Sequence, residues 1–180
     1  MSEARKPARP APSPRLVQNA YVVRDLDQAM DQWIRSAGGG PFFHFPERCS
    51  PVTYRGGEGV LHMRRALGQV GPIHIELIQP LGDKPSVFSD MFAPGEEGFH
   101  HLGYYSDDVE ADVARYLDMG CEIAMRGEFP GMSFVFIDAR PLVGVMVELI
   151  QQVDQVTNMH KRVREAAEAW DGLSDPIRAI

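Results

Sequence analysis

One strand phrase occurs twice in this chain of 180 residues, as "IHIELIQP" at 73–80 and "VMVELIQ" at 145–151. Each alternates an apolar phase with a second phase that carries a glutamate, Glu76 in the first copy and Glu148 in the second. The same run of signals precedes each copy. "LVQNAYVV" at 16–23 reads as a buried strand, and "FHHLGYYS" at 99–106 stands in its place later on. Asp25, with Gln28 three residues on, opens a helix with the stripe Leu26, Ala29, Met30, Trp33, Ile34 and Ala37, and Gly38 stops it. Asp107 or Asp108 opens the second helix, with Val109, Val113, Tyr116 and Leu117 as its stripe and Gly120 as its stop. Three strand regions follow each helix. The first three are "PFFHF", an irregular hairpin from "VTYRG" to "VLHMRRAL", and "IHIELIQ"; the second three are "CEIAMRGEF", "MSFVFIDAR" and "VGVMVELIQQ". Without gaps, Gln18 falls on His101, Tyr21 on Tyr104 and Trp33 on Tyr116. A period of roughly 80 residues is far above the 20–50 of stacked arrays, so the pattern is a duplication.

The expected fold is therefore α+β, with two tandem βαβββ modules at 16–80 and 99–152. Residues 81–98, rich in proline, glycine and charge, read as a linker with a short helical turn near Ser86–Met91. Residues 153–170 form one more amphipathic helix, and the last residues of the 153–180 tail look loose. The Pro-rich opening, 1–15, reads as a disordered arm and has no apolar run that would make it a secretory signal. No segment is long and apolar enough to span a bilayer. A net charge of −7 argues against a nucleic-acid partner, which calls for a basic face. Cys49 and Cys121 stand singly, without metal-type spacing, and read as reduced cytoplasmic thiols, with one disulfide as the alternative.

Strand side chains alternate between faces. If each helix covers one face of its module, the bulky phase (Tyr21, Leu77, Leu102, Leu149) packs beneath it and the other phase lines a concave cup. Gln18, Glu76, His101 and Glu148 then converge there. The repeat aligns His101 with Gln18, which places His101 inside and His100 outside. Singly, these residues have ordinary readings: a glutamate on a solvated face, a histidine in a core. Together they offer one imidazole, two carboxylates and one amide oxygen. Such a set suits one divalent ion, Zn, Ni, Co, Mn or Mg, whose charge would let both carboxylates stay ionised. His44, His62 and His74 are weaker candidates for substrate contact. "SAGGG" is a helix stop and not a phosphate loop, since no helix follows it.

On "VQNAYVVRDLDQAMDQW", "IHIELIQP", "GFHHLGYYSDDV" and "VMVELIQQ", residues 16–152 resemble the vicinal oxygen chelate superfamily (glyoxalase, bleomycin resistance and dioxygenase proteins). "VVRDLDQAMDQW" and "GPFF" look most like its methylmalonyl-CoA epimerase-like branch. The resemblance implies a cup-shaped, half-barrel mixed sheet with helices on the outside, and metal ligands at Gln18, Glu76, His101 and Glu148. It also implies a homodimer. The epimerases have His and Gln where this chain has Gln18 and Glu76, and the set here is closer to eukaryotic glyoxalase I. Val22 and Pro80 occupy the slots of that enzyme's glutathione-binding arginine and asparagine, and only one histidine is in place for extradiol iron. The implied activity is that of a metal-dependent lyase or isomerase. It would abstract a proton next to a metal-bound carbonyl of an apolar or acyl-type small molecule, with Glu148 or Glu76 as base and Glu148 favoured by the family's mobile glutamate. The alternative is a metal-free protein of the same fold that sequesters a hydrophobic small molecule.

Overall fold

The computed structural model describes residues 14–180. The first half contains β1 (Arg15–Val22), α1 (Leu26–Ala37), β2 (Phe42–His44), β3 (Arg48–Tyr54), β4 (Gly57–Val70) and β5 (Ile73–Pro80). The second contains β6 (Gly98–Ser106), α2 (Val109–Asp118), β7 (Glu122–Phe129), β8 (Met132–Asp138), α3 (Arg140–Val143) and β9 (Met146–Gln151), followed by α4 (Asp154–Glu168) and β10 (Ile177–Ala179). The arm expected over 1–15 lies outside the described residues as far as 13, and Arg15 already belongs to β1.

The strands run in the order β10-β2-β4-β3-β7-β8-β9-β6-β1-β5, and β5 returns to pair with β4. Eight of them therefore form a closed ring, from which β2 and β10 branch off β4. This corrects the expected half-barrel. Closure comes from two short pairings, Thr53 with Arg126 and Tyr54 with Met125, between β3 and β7. From Arg48 to Val52, β3 is bonded to β4 alone. Sequence alternation gave no sign of this seam, because it depends on where two strands from opposite halves meet.

The two helices on the outside follow the sequence logic. Asp25 accepts from the Gln28 amide at 2.9 Å, and Gly38 ends α1 in the left-handed region at φ 62°. Leu26, Ala29 and Met30 pack with Ile75 and Leu77 of β5. Asp108 caps α2 in the same way. Val113 packs beneath α2 with Val147 and Leu149, whereas Leu117, expected on that stripe, is 45% exposed. No helix among the described residues is long and apolar enough to cross a membrane. Cys49 is exposed and Cys121 buried, and both are free thiols.

Three segments depart from expectation. The 81–98 stretch is no mere linker: Val87 and Phe88 are buried with Met125, Phe134 and Phe136 and plug the ring interior. An ion-pair network holds this plug. Arg55 bonds Asp90 at 2.7 Å and Asp138 at 2.6 Å, Arg140 bonds Asp138 and the Asp90 carbonyl, and the Tyr54 hydroxyl donates to Asp90. Hydrogen bonds from Arg140, and then from Arg55, hold the Asp138 carboxyl well below the usual carboxylate range. Arg55 and Gly56 form the β3–β4 turn with φ of 48° and 79°, a turn that favours Asn or Gly at the first position. The ion pairs offset the strain of an arginine there. The end of "MSFVFIDAR", expected as strand, is instead strand to Asp138 and then the short α3. The tail expected to be loose pairs Ile177, Arg178 and Ala179 in parallel with β2. Before it, α4 seats Met159, Val163 and Ala166 on Phe43 and Leu67.

Candidate functional site

The ring interior takes one phase from each strand. On β1 this phase is Gln18, Ala20 and Val22; on β5, His74, Glu76 and Ile78; on β9, Met146, Glu148 and Ile150. Strands β5, β1, β6 and β9 are neighbours in that order, with β1–β5 and β6–β9 parallel and β1–β6 antiparallel. Gln18, Glu76, His101 and Glu148 therefore come from four adjacent strands of one chain.

Ligand-type atoms of Glu76, His101 and Glu148 all lie within 4.8 Å of one another. His101 Nε2 is 3.2 Å from Glu148 Oε2 and 3.7 Å from Glu76 Oε2. Gln18 Nε2 donates to Glu76 at 2.8 Å and reaches Glu148 at 3.5 Å. Gly103 makes room for this. It pairs with Gln18 on one side and Glu148 on the other, and a Cβ on it would stand 3.0 Å from Gln18 Cβ and 3.3 Å from its Nε2. Gly103→Val should displace the Gln18 amide and weaken divalent-cation uptake about 10–100-fold, the usual cost of disturbing a ligand's support. Calorimetric titration with zinc checks this; unchanged uptake would remove Gln18 from the site.

His100 does not sit outside. In the β1–β6 pairing Ala20 faces His101 and Tyr21 faces Phe99, so His100 is an extra residue in β6, a β-bulge. The bulge breaks alternation, and both histidines are fully buried on the inner side, with His100 against Phe88 and Phe136. A hydrogen-bond chain follows from this. His100 Nε2 is 3.1 Å from the Val87 carbonyl, which only accepts, so Nε2 carries the proton. Burial pushes the His100 pKa down to about 3, so the ring is neutral and its Nδ1 is an acceptor. His101 Nδ1, 2.9 Å away, must then donate. Burial likewise pushes His101 down to about 4, which leaves its Nε2 as a bare lone pair. That atom is buried without a hydrogen-bond partner. An imidazole lone pair aimed between two carboxylates fits a cation. Gln18 fits as well once its amide turns to present oxygen.

The two glutamates are held differently. Glu76 Oε1 accepts from Arg65 Nη1 at 2.8 Å, in addition to the Gln18 bond on Oε2. Burial raises its pKa while Arg65 opposes the rise. Among the described residues Glu148 has no ion pair with an arginine or lysine; burial pushes it up to about 7. Sequence reading missed Arg65. Leu67 stands opposite Glu76 in the β4–β5 pairing, and Arg65 is the diagonal neighbour two residues away. Only the register reveals that contact, although Met63, Arg65 and Leu67 do alternate in phase.

The interior retains a cavity of about 300 Å³ bounded by the two glutamates, Arg48, Arg65, Phe134 and Met159. His74 is on the inner face but packs against His160 of α4, which meets the Tyr105 hydroxyl at 2.5 Å. His44 lies on β2 and His62 pairs with Glu47 at 2.7 Å, both away from the cavity wall.

Residues 17–136, two thirds of the chain, match the family model described as the Glyoxalase/Bleomycin resistance protein/Dioxygenase superfamily. The chain belongs to this superfamily. The match takes in Gln18, Glu76 and His101 and stops short of Glu148. Among solved structures, this superfamily member is similar to methylmalonyl-CoA epimerase from Mycobacterium tuberculosis. That pair is 22% identical with a TM-score of 0.54, covering 84% of this chain and 97% of that one. A Streptomyces coelicolor methylmalonyl-CoA epimerase variant in complex with 2-nitronate-propionyl-CoA is 21% identical with a TM-score of 0.54, covering 78% and 96%. A hypothetical protein from Bacillus halodurans is 18% identical with a TM-score of 0.54, covering 79% and 97%. At these identities the likeness is one of fold. No curated protein matches the chain by sequence.

Proposed function

We propose that this protein is a metal-dependent lyase or isomerase, glyoxalase- or epimerase-like, that removes a proton next to the carbonyl of an apolar or acyl-type small molecule. The supporting observation is the unlike holding of Glu76 and Glu148 about the bare Nε2 of His101, at the wall of an apolar cavity. We read the two halves as copies of one βαβββ unit, with Gln18 and Glu76 answering to His101 and Glu148. These four residues would hold one divalent ion, Zn, Ni, Co, Mn or Mg, which when bound would supply Lewis acidity and compensate carboxylate charge. Glu76, fixed by Arg65 and Gln18, is a positioned anion. Glu148, less tied and with its pKa near neutrality, takes and returns the proton. Phe134, Phe136 and Met63 exclude water, which strengthens every charge interaction at the site. All four residues come from one chain, so the proposed site needs no partner subunit.

The test combines metal analysis of the purified protein with proton exchange in D₂O. Methylmalonyl-CoA, for which two of the structural neighbours are named, belongs in the panel with other α-carbonyl compounds. About one equivalent of divalent metal is expected, with exchange of the α-proton of one compound class. His101→Ala should lose both while its circular dichroism stays that of the parent. The largely apolar cavity favours sequestration as the second reading. Failure to take up any of the five metals, with a bound ligand whose protons never exchange, would establish it.

A further inference from the structure

The cavity wall formed by β3 and β4 carries two arginines. Arg48 pairs with Met63 across the strands, and Arg65 is two residues beyond Met63, which makes the arginines diagonal neighbours on the inner face. Each is stacked on an aromatic ring: the Arg48 guanidinium stands 3.7 Å from the Phe129 centroid and that of Arg65 3.7 Å from Phe45. Their charge pairing is unequal. Arg65 bonds Glu76, whereas among the described residues Arg48 has no carboxylate partner and no side-chain hydrogen bond. Burial and the nearby Arg65 charge both work against the Arg48 cation. Leu61, Met63, Phe129 and Met132 give the same cavity its apolar wall, with Gln155 and His160 of α4 as further polar lining. A planar cation held on a ring, partly desolvated and repelled by its neighbour, lacks an anion. None of the described residues supplies one, while the cavity has room for a small molecule that does.

We propose that Arg48 sets substrate specificity: it receives a carboxylate carried by an apolar small molecule whose opposite end lies at Glu148. The reacting end rests on the function proposed above; the anion-binding end rests on Arg48 alone. The substrate class is then a small acid with an apolar body, long enough to span from β3 to β9. The fork of the guanidinium suits a carboxylate, and the ring beneath it fixes the plane in advance.

The probe is the pair hexanoate and hexanamide, equal in shape and unequal in charge, titrated calorimetrically into the full-length purified protein. Hexanoate should bind about 10–100-fold more tightly than hexanamide, the usual gain from a charged hydrogen-bonded partner. Arg48→Met should abolish that preference and leave hexanamide affinity within about two-fold, since the apolar wall remains. Arg48→Lys should fall between the two, and decides the matter if the Met variant fails to fold. Equal binding of acid and amide, or a preference that survives Arg48→Met, overturns the proposal. In that second case the acid sits elsewhere, on a bound cation or Arg65. A purely structural Arg48 would change stability without changing the acid-to-amide ratio. The two readings fail separately. Proton exchange with no Arg48-dependent preference sinks only this inference, and a preference without metal or exchange sinks only the enzyme.

Discussion

Glu148→Gln should lower α-proton exchange about 10²–10⁴-fold and leave divalent-metal affinity within about ten-fold of the parent. Glu76→Gln should show the reverse emphasis. The asymmetry comes from how each carboxylate is held. Glu76 spends one oxygen on Arg65 and the other on Gln18, both at 2.8 Å. Moving it would strand a half-buried guanidinium, so it is suited to staying in place. Among the described residues Glu148 has only a 3.5 Å contact with Gln18 and a 3.2 Å approach to His101, and its pKa is pushed by burial to about 7. A group near neutrality can take a proton and release it with little penalty in either direction. Glutamine preserves shape at both positions, so neither variant opens a cavity. At position 76 it also removes the charge that pairs with Arg65 and turns an NH2 toward either Arg65 or Gln18, and metal affinity should fall about 10–100-fold. Deuterium incorporation followed by NMR and calorimetric zinc titration read the two quantities separately. Equal losses of both in both variants would show that neither glutamate has a distinct role.

The second large effect is on stability in acid. Burial holds His74 and His101 near pKa 4 and His100 and His160 near 3, against 6.5 for a free imidazole. A depressed histidine gives stability that is complete above pH 6.5 and lost as the pH falls through the unfolded value toward the folded one. Between pH 4.5 and 6.5 the unfolded chain binds up to four protons at these sites that the folded chain refuses. Glu76 and Glu148 act in the opposite sense. Their raised folded pKa values keep protons on the native state that the unfolded chain releases above 4.5. Four histidines less Glu148, with Glu76 subtracting in the same direction, leave a net uptake of about two to three protons on unfolding, a slope on the order of 3 kcal/mol per pH unit. The metal-free protein should therefore lose most of its stability between pH 6.5 and 4.5. Urea midpoints measured across that window give the slope, and a flat profile would mean that the histidines are not buried and neutral. His160→Gln should reduce the slope by about one proton.

The candidate site was legible in the sequence in part, for a definite reason. Glu76 and Glu148 lie on strands paired without irregularity, and Gln18 keeps the buried phase of β1 despite a register shift beside it, so a period of two places all three on the inner face. His100 lies at a bulge, where alternation fails, and its placement depended on pairing across strands rather than on neighbours in the chain. Arg48 and Arg65 become visible only through register: β4 is a 14-residue strand that pairs with β2, β3 and β5 along its length, and nothing local says which of its residues face which partner. The plug at Val87 and Phe88 was hidden by composition. Two apolar residues among prolines and glycines carry no periodic signal, yet the ring interior has space that they fill. The closing seam likewise has no local signature, since it joins residues about 70 apart by two pairings.

That seam has one more consequence. Where β3 and β7 part, between Arg48 and Val52, the ring has a strand with a free side, and a free side can recruit the edge of another chain. Pro51 lies in the middle of this stretch and has no amide hydrogen to offer an incoming strand. Arg48 brings charge to one end of it, and Arg126 and Glu128 bring charge to the facing strand. Any second chain approaching this edge would meet a broken ladder flanked by charge. This loosely closed edge is thus poorly suited to starting the edge-to-edge growth of aggregates.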